Sequence, residues 1–192
     1  MFKNILALMS FGALLGTPMA AGNLVVNPGF EAVSLSHNWS VTTGSPSCSD
    51  WAVGNGPVGV HSGINAFLFG DLCNQDYDIV SQDITTTPGA AYTFRFWVSS
   101  NFNSGTEFWA TWDGNTVLDL VNGAVPTSYT QYSFTELATT PLTTIAFGGN
   151  NPLGWVGLDD VSVDAAAATP EPGTLTVLGL GLAGVGLIRR RK

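Results

Sequence analysis

An all-β sandwich between two apolar terminal segments is what this sequence predicts, and three observations predict it. Residues 23–164 are cut at short intervals by Gly, Pro, Asn and Ser, and the runs between the cuts are rich in Val, Ile, Thr, Phe, Tyr and Trp. In the run Ala91–Val98, Tyr92, Phe94, Phe96 and Val98 alternate with Thr93, Arg95 and Trp97, the period of a strand with one buried face. Asp113-Gly114 separates two further strand-like runs and is a hairpin turn signal. Outside the two ends no stretch has a helical period. A chain of 192 residues fits one domain, and a middle of about 140 residues is long enough to bury a sandwich core.

The elements follow in order. Residues 1–22 have a basic start at Lys3, an apolar run from Ile5 to Leu15 and small residues at Ala20, Ala21 and Gly22, which is the layout of a secretory signal peptide. Strands are expected at 24–26, 38–41, 66–70, 77–84, 90–99, 106–112, 115–120, 128–137, 142–148 and 154–164. Residues 165–169 form an alanine-rich linker. The tail 170–192 opens with Pro170-Glu171-Pro172, continues as an apolar, glycine-rich segment at 174–188, and stops at Arg189-Arg190-Arg191-Lys192. Its apolar run is short for a membrane span, which makes it a marginal and temporary anchor in the inner membrane. The basic stop places the end in the cytoplasm and the rest outside.

Charge excludes several functions. Five of the six basic residues lie at the termini; residues 23–166 hold 13 acidic residues against Arg95 alone, a net of −12. A nucleic-acid partner needs clustered Lys and Arg and is excluded on that ground. An acidic glycan is disfavoured as the main ligand, and a bound cation is accommodated.

The ordered triplet, apolar segment and basic stop of 170–192 resemble the PEP-CTERM sorting signal of Gram-negative bacteria, with Thr169 where the family usually has valine. The resemblance implies handling by secretion machinery and an exosortase, and export to the cell surface or extracellular polysaccharide matrix. The opening Asn23–Glu31, the closing Gly154–Val163 and the segment His61–Leu68 resemble landmarks of the galactose-binding-like jelly rolls, a group that includes many carbohydrate-binding modules. That likeness implies a jelly-roll β-sandwich. It also implies a structural calcium between the loops of the first and last strands, with Glu31 and one of Asp159 and Asp160 as carboxylate ligands and carbonyls near His61–Asn65 completing the set. Strand alternation favours Asp160 unless a bulge intervenes. The alternative is that these acids cap turns at the sandwich edge. Asp71, Asp76 and Asp78 form a second acidic loop, best explained as solvated.

Cys48 and Cys73 are the only cysteines, and an even count in an exported chain predicts a disulfide. His37 and His61, the only histidines, belong to no zinc-protease motif. No nucleophile elbow and no glycine-rich phosphate loop occurs, so the domain is expected to be non-catalytic. Aromatic side chains offer a better function, since neutral sugars stack on flat rings. Strand parity turns Arg95, Trp97, Trp109 and Gln131 away from the core, onto what would be one ligand platform. The expected function is therefore an exported module binding glycans of the extracellular matrix or cell envelope. The alternatives are a structural or adhesive matrix protein without a specific ligand, and a secreted hydrolase.

Overall fold

Ten strands are present among the described residues. They are β1 (Ser40–Thr42), β2 (Trp51–Gly54), β3 (Ala66–Phe69), β4 (Asp78–Thr85), β5 (Ala91–Ser100), β6 (Glu107–Trp112), β7 (Asn115–Leu120), β8 (Thr130–Leu137), β9 (Leu142–Asn150) and β10 (Val156–Ala165). The structure, a computed structural model, describes residues 22–166 except 33, 36, 37, 71, 72, 74–76, 103 and 122. The signal peptide, most of the linker and the sorting tail, with Pro170, Glu171, Pro172, Arg189, Arg190 and Arg191, lie outside the described residues, as do His37, Asp71 and Asp76. No helix is present among the described residues.

The strands form two antiparallel five-stranded sheets in the orders β1-β4-β9-β6-β7 and β2-β3-β10-β5-β8. This is the predicted jelly-roll sandwich. Alternate residues of both sheets point inward, and Phe30, Phe67, Phe69, Phe94, Phe96, Phe108 and Phe147 are fully buried between them. Their rings meet at centroid distances such as 5.0 Å for Phe96–Phe147 and 4.7 Å for Phe67–Phe69, in tilted and edge-on arrangements that suit aromatic quadrupoles. Trp39 and Trp112 complete the core, their indole N–H groups donating to the carbonyls of Asn27 (3.0 Å) and Leu137 (3.2 Å).

Two strand expectations need correction. Residues 24–26 do not form a strand, because a side chain does the pairing: Asn23 accepts from Val163 N (2.9 Å) and donates to Val161 O (3.0 Å). The opening segment thus lies along β10 through two backbone bonds, Leu24 N to Val163 O and Val161 N to Pro28 O (both 2.9 Å). Conversely, Trp51–Gly54 pairs with β3 as an edge strand, although its four residues carry too little alternation to be recognised.

Cys48 and Cys73 form the expected disulfide, closing a loop of 25 residues. Loop closure of this length contributes roughly 3 kcal/mol. The bridge ties the segment before β2 to the segment before β4.

Candidate functional site

The two sheets divide the expected glycan platform. Trp97 and Arg95 lie on β5 and Gln131 on β8, whereas Trp109 lies on β6 of the other sheet. Parity is right for each strand, but the two outward faces are opposite faces of the sandwich. Trp97 and Trp109 therefore share no surface.

On the β5 side, Trp97 is covered. The His61 ring stacks on it with centroids 3.7 Å apart and planes 16° from parallel. Tyr129 closes over the same loop by donating from its hydroxyl to Gly59 O (3.0 Å). Gln131 is directly cross-strand from Trp97 and exposed, and Arg95 is bound by Asp164 at 3.2 Å.

The covering loop is held by the three acids singled out as metal ligands. Asp159, fully buried, accepts from His61 N (2.8 Å) and Ser62 N (3.1 Å) through Oδ2, and from Asp160 N (2.7 Å) through Oδ1. Asp160 reaches His61 Nδ1 (2.6 Å) and accepts from Ser62 Oγ (2.8 Å). Glu31 accepts from Ile64 N (3.0 Å) and Asn65 N (3.3 Å). Both aspartates reach the loop because the β10 ladder shifts register between Asp159 and Ser162, where Asp160 takes φ +46°. This bulge interrupts the alternation that favoured Asp160 alone. Gly63 at φ +63° is required: a Cβ there would stand 1.9 Å from Glu31 Oε1. Glu31, Asp159, Asp160 and the loop 61–65 thus meet in one place, as the sequence predicts. The oxygens of Glu31 and Asp159 face backbone N–H groups and those of Asp160 face the His61 imidazole and the Ser62 hydroxyl, and among the described residues no three acidic, histidine or cysteine side chains converge as an ion's ligand set.

On the opposite sheet the β6 side is open. A cleft of about 430 Å³ is lined by Tyr77, Glu107, Trp109, Thr111, Thr116, Asp119 and Val121. The half-buried Trp109 packs against the neighbouring strand β9 at Gly148, where a Cβ would be 2.2 Å from the indole. Cross-strand on its other side stands Asp119. Tyr77 meets the ring edge-on at 6.4 Å and donates its hydroxyl to Glu107 Oε2. Burial, the hydrogen bond to Glu107 and the charges of Glu107 and Asp119 push the Tyr77 hydroxyl up to about 12, so it stays a donor. Tyr77, Glu107 and Asp119 were not singled out from the sequence. Glu107 shares the parity of Trp109, a signal that would have found it; Tyr77 comes to the cleft only through the sheet order.

The sheet carrying this cleft sits in a fold shared with known sugar-binding domains. TmCBM61, solved in complex with β-1,4-galactotriose, is 18% identical with a TM-score of 0.58, covering 76% of this chain and 100% of that one. The K3 cleaved adhesin domain of Lys-gingipain from Porphyromonas gingivalis is 18% identical with a TM-score of 0.56, covering 77% of this chain and 99% of that one. The enzymatically active domain of tailspike protein 4 of bacteriophage CBA120 is 19% identical with a TM-score of 0.57, covering 73% of this chain but only 21% of that one. No curated protein matches the sequence. Residues 168–192 match the family described as the PEP-CTERM protein-sorting motif. The chain therefore has a jelly-roll fold similar to that of carbohydrate-binding modules, and its residues 168–192 match the PEP-CTERM sorting motif.

One pH dependence follows from Asp159. Burial raises its carboxyl above the ordinary 3.8, the N–H groups of Ser62, His61 and Asp160 pull it back, and the charge of Asp160 raises it further. A raised folded-state value favours folding while the group is protonated, below 3.8, and that contribution is lost as pH climbs through the raised value. The melting temperature of wild type relative to Asp159→Asn is expected to fall over that rise. A difference independent of pH would show that Asp159 does not titrate differently in the fold.

Proposed function

We propose that this chain is an exported, non-catalytic module that binds glycans of the extracellular matrix or cell envelope through the Trp109 cleft. The observation that carries this reading is the half-buried indole that lines an open cleft against Gly148, flanked by hydroxyl and carboxylate groups. A sugar ring presents an apolar face that stacks on such a ring, while Thr111, Thr116, Glu107 and Asp119 reach its hydroxyls. The ring is held on strands, which fix its position better than loops. Trp97, capped by His61, belongs to the fold in this reading.

The two tryptophans separate the sugar-binding reading from a purely structural matrix role. Trp109→Ala is expected to weaken polysaccharide retention by about 1–3 kcal/mol, by analogy with base stacking, with the domain still folded. Trp97→Ala is expected to lower stability by about 1 kcal/mol or more through loss of the His61 stack. Affinity electrophoresis on a polysaccharide panel, with melting curves, checks both. Binding to no glycan by wild type would leave the structural or adhesive role as the better reading.

Calcium is proposed for the Glu31–Asp159–Asp160 locus because three carboxylates bind one loop there with no Lys or Arg beside them; an ion would take the place of the N–H, imidazole and hydroxyl groups that these oxygens face. A bound ion would supply the positive charge that this cluster lacks, while the chain's own residues hold the loop to β10. Chelation is then expected to lower the melting temperature, and Glu31→Ala to remove most of the difference between chelated and calcium-loaded protein. An unchanged melting curve, with no calcium by elemental analysis, would count against the ion and leave a hydrogen-bonded clamp.

The sorting motif supports exosortase handling and transient anchoring in the inner membrane by 174–188. Protein from the surface fraction of an exosortase-bearing host is expected to lack Arg189–Lys192. Intact C-terminal peptides in mass spectra of that fraction would contradict processing.

A further inference from the structure

We infer that the Trp109 cleft selects a sugar unit carrying a protonated amine, a hexosamine, over its neutral N-acetylated form and over uronic acids. The inference rests on the sugar-binding reading above and adds the charge class of the ligand.

Position comes first. Glu107 precedes Trp109 by two residues on the same face of β6, and Asp119 stands directly cross-strand from Trp109 on β7. At strand spacings both carboxylates lie within about 7 Å of the indole's own backbone position, one along the strand and one across it. Neither has a basic partner: the ion pairs among the described residues are His61–Asp160 and Arg95–Asp164, both on the opposite sheet. The cleft is thus an aromatic floor edged by two uncompensated negative charges, in a domain with one basic residue in 23–166.

Hydrogen-bond chemistry points the same way. An ionised carboxylate only accepts. Tyr77 donates to Glu107 Oε2, leaving the other Glu107 oxygen and both Asp119 oxygens for the ligand. An ammonium brings three donors and the opposite charge, so its contacts are charge-assisted. It also meets the negative face of the indole favourably. An acetamido group keeps one neutral N–H donor but loses the charge and two donors and brings a carbonyl acceptor, and a uronate carboxylate would set acceptor against acceptor with like-charge repulsion. Neutral hydroxyls satisfy the carboxylates without repulsion, so neutral sugars are the nearest competitors.

The test is calorimetric titration of the disulfide-bonded mature protein with β-1,4-linked glucosamine oligomers, their N-acetylated counterparts and a panel of neutral oligosaccharides, in mildly acidic buffer. The expected result is about a tenfold preference for the free amine over the N-acetylated form, weakened by added salt. In Asp119→Asn that ratio falls to about one, whereas Asp164→Asn, on the opposite sheet, keeps it. Equal losses in both variants would mean diffuse attraction of a cation to an acidic domain and would overturn the inference. Neutral oligosaccharides bound as tightly as the amine by wild type would overturn it while leaving the sugar-binding reading intact. If no oligosaccharide of any class binds, both fall.

Discussion

The buried carboxylate of Asp159 decides which faces of this sandwich are open. It sits at a bulge in β10, and three backbone N–H groups converge on it, two of them from the loop that contains His61. Burying a charge is costly unless it is hydrogen-bonded. The acid therefore carries an obligation to keep that loop in place. Once in place, the loop lays His61 on Trp97 and lets Tyr129 reach Gly59, which closes one outer face at that end. Among the described residues, the cleft at Trp109 on the other sheet carries no such loop-held imidazole; the ring there is half-buried, with Tyr77 edge-on beside it.

Much of this was legible in the residues. Period two identified the buried phenylalanines of β5 and turned Trp97 and Trp109 outward, and both orientations hold. The landmarks at Asn23–Glu31, His61–Leu68 and Gly154–Val163 brought the three acids and the covering loop together, and so they stand. Parity, however, is a property of a single strand. It states that a side chain leaves the core, not which sheet its strand joins. β5 and β6 are consecutive in the chain, yet they belong to opposite sheets, each beside a later strand: β10 for one, β9 for the other. No local pattern encodes those long-range pairings. The shared platform failed for that reason and for no fault in the alternation.

The same distinction explains the smaller misses. Leu24–Val26 has strand composition, but the Asn23 amide bonds to Val161 and Val163 and takes the place of a ladder. Asn27 and Phe30 then adopt positive φ, turning the chain away immediately after. An amide substituting for backbone is invisible to periodicity. The register shift in β10 was foreseen only as a condition, because a bulge depends on what presses on the strand from outside. Here that is the loop, whose backbone N–H groups bond to Asp159 and whose His61 and Ser62 side chains bond to Asp160.

Glycine separates the two tryptophans at the most local level. Beneath Trp109 the facing position on β9 is Gly148, and any Cβ there would occupy the space of the indole. The absence of a side chain lets the indole pack closely against the β9 backbone. Trp97 has Asp159 and Gln131 as cross-strand neighbours and gains its flat partner from above, in the imidazole of His61. What distinguishes the two tryptophans in this fold is therefore what meets the ring: for Trp97 the imidazole of the covering loop, for Trp109 the bare backbone of Gly148 beside an open cleft.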